Sequence, residues 1–170
     1  LLDRDLAPRE QELISDVLIS LMRQAEHDLR QAIAERLSVM DGAPLRIILH
    51  IANDDIGVAN PVLKNSTVLS DLDLLYIIKG KNSDYWQAIA QRRQLSDGVM
   101  NVLVDTGDVP TMVALSLNDQ VRLTRHALQA MGKTAEQNED LSRPLLMRAD
   151  VPEDLARRLY AFVGQELKRY

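Results

Sequence analysis

The residues of this 170-residue sequence best suited to chemistry are its three histidines, at positions 27, 50 and 126. His27 is followed by Asp28, and an accessible imidazole beside a general base could accept a phosphoryl group. No two histidines have the i, i+4 spacing of a helical metal site, so ordinary helix positions are the simpler reading of all three. There is no cysteine, which removes disulfides, thiolate metal sites and a cysteine nucleophile. The 7 glycines form no phosphate loop, nucleophile elbow or dinucleotide fingerprint. The acidic pairs Asp54-Asp55 and Glu139-Asp140 stand where helices should begin, and there carboxylates cap amides and complement the helix dipole. No catalytic residue, metal or cofactor is therefore expected, and the chain is expected not to be an enzyme.

Charge narrows the partners. The net charge is -5 with both signs interspersed, which argues against the basic stripe of a nucleic-acid-binding domain. A local anion-binding edge of Arg92, Arg93, Arg122 and Arg125 remains, suited to an acidic protein or, as an alternative, to nucleic acid. Apolar runs such as 45–51 and 72–78 are broken by Arg46, His50 and Asp73, and they fall far short of the roughly 20 residues that span a bilayer. Asp3, Arg4 and Asp5 replace the basic and apolar start of a signal peptide. A cytoplasmic protein with no membrane span is expected, and the start at Leu1 suggests a fragment of a longer chain.

These residues need elements to position them, and an internal repeat supplies the plan. A small residue or proline, two apolar or small residues, any residue, then Arg or Asn recurs five times. The copies begin at Ala32, Pro61, Ala88, Ala114 and Pro144, spaced by 29, 27, 26 and 30. An aliphatic residue follows three places after each Arg or Asn: Val39, Val68, Leu95, Val121 and Val151. Next come helix-start signals, Ser70-Asp71, Ser96-Asp97 and Pro152-Glu153-Asp154, and a second run apolar at helical spacing. Each copy thus reads as two short antiparallel helices. Aromatics make up only 4 % of the chain, which favours helices over strands. One pair cannot bury its apolar face alone, so the copies must stack. The expected fold is all-α: an α-solenoid of about five HEAT-like two-helix repeats with an N-terminal amphipathic helix.

The whole of 1–170 is expected to be one helical-repeat domain: a capping or dimerisation helix over 1–24, repeats over 25–164 and a tail over 165–170. In the leading helix, Leu13, Ile14, Val17, Leu18, Leu21 and Met22 form one stripe, which could cap the stack or pair two chains into a homodimer. Gly80, Gly107, Gly132 and Gly164 are expected to end second helices. Arg122 stands where other copies have serine or proline, so the turn of the fourth copy should differ. Lys133 to Glu139 reads as a long loop, and Pro61 and Pro144 should delay or bend their helices.

Aligning the copies separates columns. Leu29, Val58, Tyr85, Thr111 and Leu141 form a mostly apolar column expected in the core. The next column, Arg30, Ala59, Trp86, Met112 and Ser142, is mixed in polarity and is expected to face solvent or a neighbour. Within it Ala59, Trp86 and Met112, with Tyr85 beside them, would form an apolar ridge of the kind that carries interface energy; Trp86 could equally fill a groove between repeats. The Arg or Asn column (Arg36, Asn65, Arg92, Asn118, Arg148) is expected to bond the last carbonyls of its own helix.

The segment Ala52-Asn53-Asp54-Asp55-Ile56-Gly57-Val58-Ala59-Asn60-Pro61-Val62-Leu63, with Ala88-Ile89-Ala90-Gln91-Arg92, resembles an uncharacterised alphaproteobacterial family of HEAT-like helical-repeat proteins, a domain of unknown function. The likeness runs from about Pro8 to Val163. It implies a bacterial, intracellular module and carries over no catalytic motif. His27-Asp28-Leu29-Arg30-Gln31-Ala32-Ile33 resembles the phosphoacceptor box of histidine kinases, although the string lies in register with the repeats and no nucleotide-binding domain follows. The expected function is a non-enzymatic protein-interaction or scaffolding module with another protein as partner. A phosphorelay component with His27 as phosphoacceptor is the alternative of a different class.

Overall fold

Hydroxyl and carboxylate caps set where the helices begin. The computed structural model describes residues 7–166, and the described residues form helices and no strands. The leading helix is α1 (Pro8–Gln24). Along the described residues follow α2 (His27–Ser38), α3 (Leu45–Ala52), α4 (Ile56–Asn65), α5 (Asp71–Gly80), α6 (Ser83–Ala90), α7 (Asp97–Asp105), α8 (Val109–Ser116), α9 (Arg125–Ala135), α10 (Glu139–Leu146) and α11 (Glu153–Glu166). The repeat anchors Ala32, Pro61, Ala88, Ala114 and Pro144 fall in α2, α4, α6, α8 and α10. Side chains of Asp55, Asp108 and Asn138 accept the free amides of α4, α8 and α10, while Ser70, Ser96 and Thr124 do so for α5, α7 and α9.

Contacts divide the chain into two compact units, Leu1–Ile89 and Ala90–Tyr170. In the first, α4 packs on both α2 and α3, and α1 packs on α3. Ile47, Ile48 and Ile51 of α3 are buried with Val58, Val62 and Leu63 of α4. In the second unit α8 packs on α10, α9 packs on α7, and α11 covers α10 and α9. Its centre is Met100, Leu103, Leu115, Met131 and Leu141.

Several expectations are corrected. Gly132 does not end a helix; it lies inside α9, where an added Cβ would come 2.8 Å from Leu155 of α11. Close packing against the Leu155 methyls, not chain reversal, is what surrounds that glycine. Gly164 likewise lies inside α11, whereas Gly80 ends α5 and Gly107, with φ +70°, follows α7. The expected loop from Lys133 is mostly helix, because Ala135 is buried on the core face and draws α9 on to its own position. In the fourth copy the capping hydroxyl is Thr124, two residues past Arg122. Helices α4 and α10 run through Pro61 and Pro144 rather than starting late. Helix α11 reaches Glu166; residues 1–6 and 167–170 of the expected cap and tail lie outside the described residues.

Candidate functional site

His27 opens α2 and is drawn into a polar clasp at the turn between α3 and α4. Its Nε2 lies 3.1 Å from Asp55 Oδ1. Arg30, one turn on, donates through Nε to Asp54 Oδ2 at 3.0 Å and through a terminal nitrogen to Asp55 Oδ2 at 2.9 Å. Gly57 leaves room for the ring, since a Cβ there would meet His27 Nε2 at 3.0 Å. Burial pushes the Asp55 carboxyl up, but hydrogen bonds from His27, the Val58 amide and Arg30, with the His27 charge, hold it below the ordinary carboxylate value. Asp55 caps α4 at the same time. Nε2 is thus engaged by a carboxylate, while Asp28, its Oδ1 3.6 Å from Nδ1, is exposed.

The aromatic pair that follows is also tied to its own unit. Tyr85 donates through Oη to the Asp54 carbonyl at 2.5 Å, and the Trp86 indole N–H donates to the Ile78 carbonyl at 2.8 Å. Burial raises the Tyr85 phenol, and the charges of Asp55, Asp54 and Asp84 raise it further. Lys81 lies 4.9 Å over the Tyr85 ring. Tyr85 is buried and Trp86 half-buried. Ala59 and Met112 are 0 % and 2 % exposed. In the column expected to face solvent or a neighbour, Ala59, Met112 and Ser142 are instead core positions. The reason is geometric: α4, α8 and α10 each pack on more than one helix, so two adjacent columns of the first turn are buried, and the second holds small or flexible side chains. Leu29, expected in the core, is the exposed member of the first column.

Two members of the Arg or Asn column, Asn118 and Arg148, reach further than their own helices. Asn118 donates through Nδ2 to the carbonyls of Ala90 at 2.9 Å and Arg92 at 2.7 Å, both in the preceding copy. Arg148 spans the same gap one copy later, donating to the carbonyls of Ser116 at 3.2 Å, Asn118 at 2.7 Å and Val121 at 2.8 Å. Its Nε also meets Asp150 at 2.7 Å. Arg148 hydrogen bonds are the main reason the Asp150 carboxyl sits below its ordinary value; burial opposes them and the Leu123 amide adds to them. These side chains staple consecutive copies by satisfying orphan carbonyls at helix ends.

Arg92, expected on the anion edge, is buried at 8 % exposure. Arg93 is exposed. Arg122 and Arg125 are brought together on one groove of about 660 Å³ in the second unit, with Arg158, Asp154 and the apolar floor of Leu128 and Leu155. Arg158 is paired with Glu136 at 3.1 Å.

A second groove, of about 640 Å³, shares Arg122 and is lined by Leu117, Val121, Pro144 and Met147. Leu117 is 68 % exposed and Met147 87 %. Sequence reading missed them, although a signal was present. The residue just before the Arg or Asn of each copy runs Glu35, Lys64, Gln91, Leu117, Met147, polar in three copies and then large and apolar in two. Among the described residues no group of three or more His, Asp or Glu could hold a metal ion, and no helix is long and apolar enough to cross a membrane.

No curated protein and no solved structure matches the chain. The model of a family described as an uncharacterised protein conserved in bacteria (DUF2336) matches residues 58–170, about two-thirds of the chain. That span takes in the Arg and Asn staples of the second unit and both of its grooves, and the chain belongs to this bacterial family.

Proposed function

We propose that the protein is a non-enzymatic interaction module that binds an acidic partner protein through the adjoining grooves of its second unit. One observation carries the reading: two large apolar side chains, Leu117 and Met147, stand largely exposed on one groove whose rim continues through Arg122 to Arg125. Methionine and leucine in a concave site supply adaptable apolar contact, and the arginines select carboxylates. A basic edge of this size on a chain of net charge -5 fits a local acidic segment better than a nucleic-acid backbone. We read the five helix pairs as HEAT-like repeats of an α-solenoid acting in the bacterial cytoplasm. The packing of α2 on α4 in one unit and of α8 on α10 in the other supports the repeat reading. His27 is in this account a structural residue.

Affinity capture from the native bacterial extract tests the proposal with three baits: the unaltered chain, Leu117→Ser with Met147→Ser, and Arg122→Glu with Arg125→Glu. An acidic protein held by the first and lost by both variants, at unchanged helical circular dichroism, is the expected result. Capture unaffected by either pair of substitutions overturns it.

A further inference from the structure

We infer that α1 is a self-pairing helix, joining two copies of the chain in antiparallel register about a two-fold axis near Val17. The inference is independent of the grooves, which lie in the other unit. Helix α1 is apolar on two faces. Ile19 and Met22 are buried with Ser15 on the side that packs against α3, and Arg46 of α3 pairs with Asp16 at 2.5 Å. On the opposite side Leu13, Val17 and Leu21 follow one another at i, i+4 and i+8, exposed by 60, 59 and 58 %. A stripe of three large aliphatics at that spacing is the half of a helix–helix seam that a partner helix fills.

The stripe itself identifies its occupant as a second copy. An isologous contact needs a patch that is complementary to itself under a two-fold rotation. Leu13 and Leu21 lie equally far on either side of Val17, so rotation about that position sets each leucine against the other and valine against valine. Charge selects the direction. Glu10, Glu12 and Asp16, with Arg9, occupy the first half of the helix, whereas Arg23 is the one charged residue between Val17 and Gln24. Antiparallel pairing brings the acidic end to the arginine end, while parallel pairing sets each charge beside its own copy.

The absence of cysteine makes the geometry directly testable on the full chain with single Val17→Cys, Leu13→Cys and Leu21→Cys variants under mild oxidation. In the antiparallel pair the two copies of position 17 face each other. The two copies of position 13 lie about 12 Å apart along the axis at 1.5 Å per residue, beyond the roughly 7 Å limit between bridged Cα atoms. The expected result is a rapid homodimeric crosslink for Val17→Cys, little or none for Leu13→Cys or Leu21→Cys alone, and a mixed crosslink when those two are combined. Light scattering should give twice the chain mass, falling to a single chain for Leu13→Asp with Leu21→Asp at unchanged helical signal. A monomeric unaltered chain, or crosslinks equally fast at 13, 17 and 21, overturns the proposal.

Discussion

Arg148 is where one side chain does most to hold neighbouring copies together. Its guanidinium satisfies three carbonyls and pairs with Asp150 in a site only 9 % open at the arginine and 16 % at the aspartate. Arg148→Ala strands those carbonyls and leaves a partly buried carboxylate without its cation, so it should destabilise the protein by about 3 kcal/mol in urea unfolding. Arg148→Lys should recover little of that, because an ammonium cannot reproduce the fork that spans Ser116, Asn118 and Val121. A lysine variant as stable as the unaltered chain would contradict the staple. The recurrence of Arg or Asn at this position is legible in the sequence. Its target is not, because periodicity places a side chain at a helix end without telling which helix end it reaches. Met147 shows the same limit from the other side: the change from Glu35, Lys64 and Gln91 to Leu117 and Met147 is readable, but only the exposure of those two residues turns it into a surface.

At the scale of elements, the succession of short helices and the leading amphipathic helix follow from spacing and caps, since Ser70, Ser96 and Asp55 stand at the helix starts that their chemistry favours. The misjudged elements are those in which tertiary packing overrides a local signal. Gly132 reads as a helix stop, yet the Leu155 methyls lie against that point of α9, and any added Cβ makes them shift. Gly132→Val should therefore cost about 1–3 kcal/mol by overpacking, despite the poor helix propensity of glycine; a higher melting temperature for that variant would show the contact to be slack. The burial of Ala59 and Met112 has a similar origin. A single helix viewed by its own period shows one apolar stripe, but a helix covered by two neighbours needs two.

For the whole molecule, Asp55 and Asp150 both carry carboxyls held below their ordinary value. Such groups favour the folded state wherever the unfolded chain would bind the proton more readily, so their contribution is complete above about pH 4 and is lost as pH falls below it. The urea midpoint should drop between pH 5 and pH 3, and Asp150→Asn should flatten that dependence more than Asp55→Asn, whose site is more open to solvent. Equal slopes for all three proteins would remove the two clasps from the acid response. The interaction surface is the claim on which the functional account rests, and a photo-reactive side chain at position 147 tests it most directly in living cells of the source bacterium, with position 91 of the same repeat column as the control. One acidic protein crosslinked from 147 and lost with Arg122→Glu and Arg125→Glu, with no such product from 91, is the expected result. Crosslinking that is absent from 147, or the same from both positions, would contradict it.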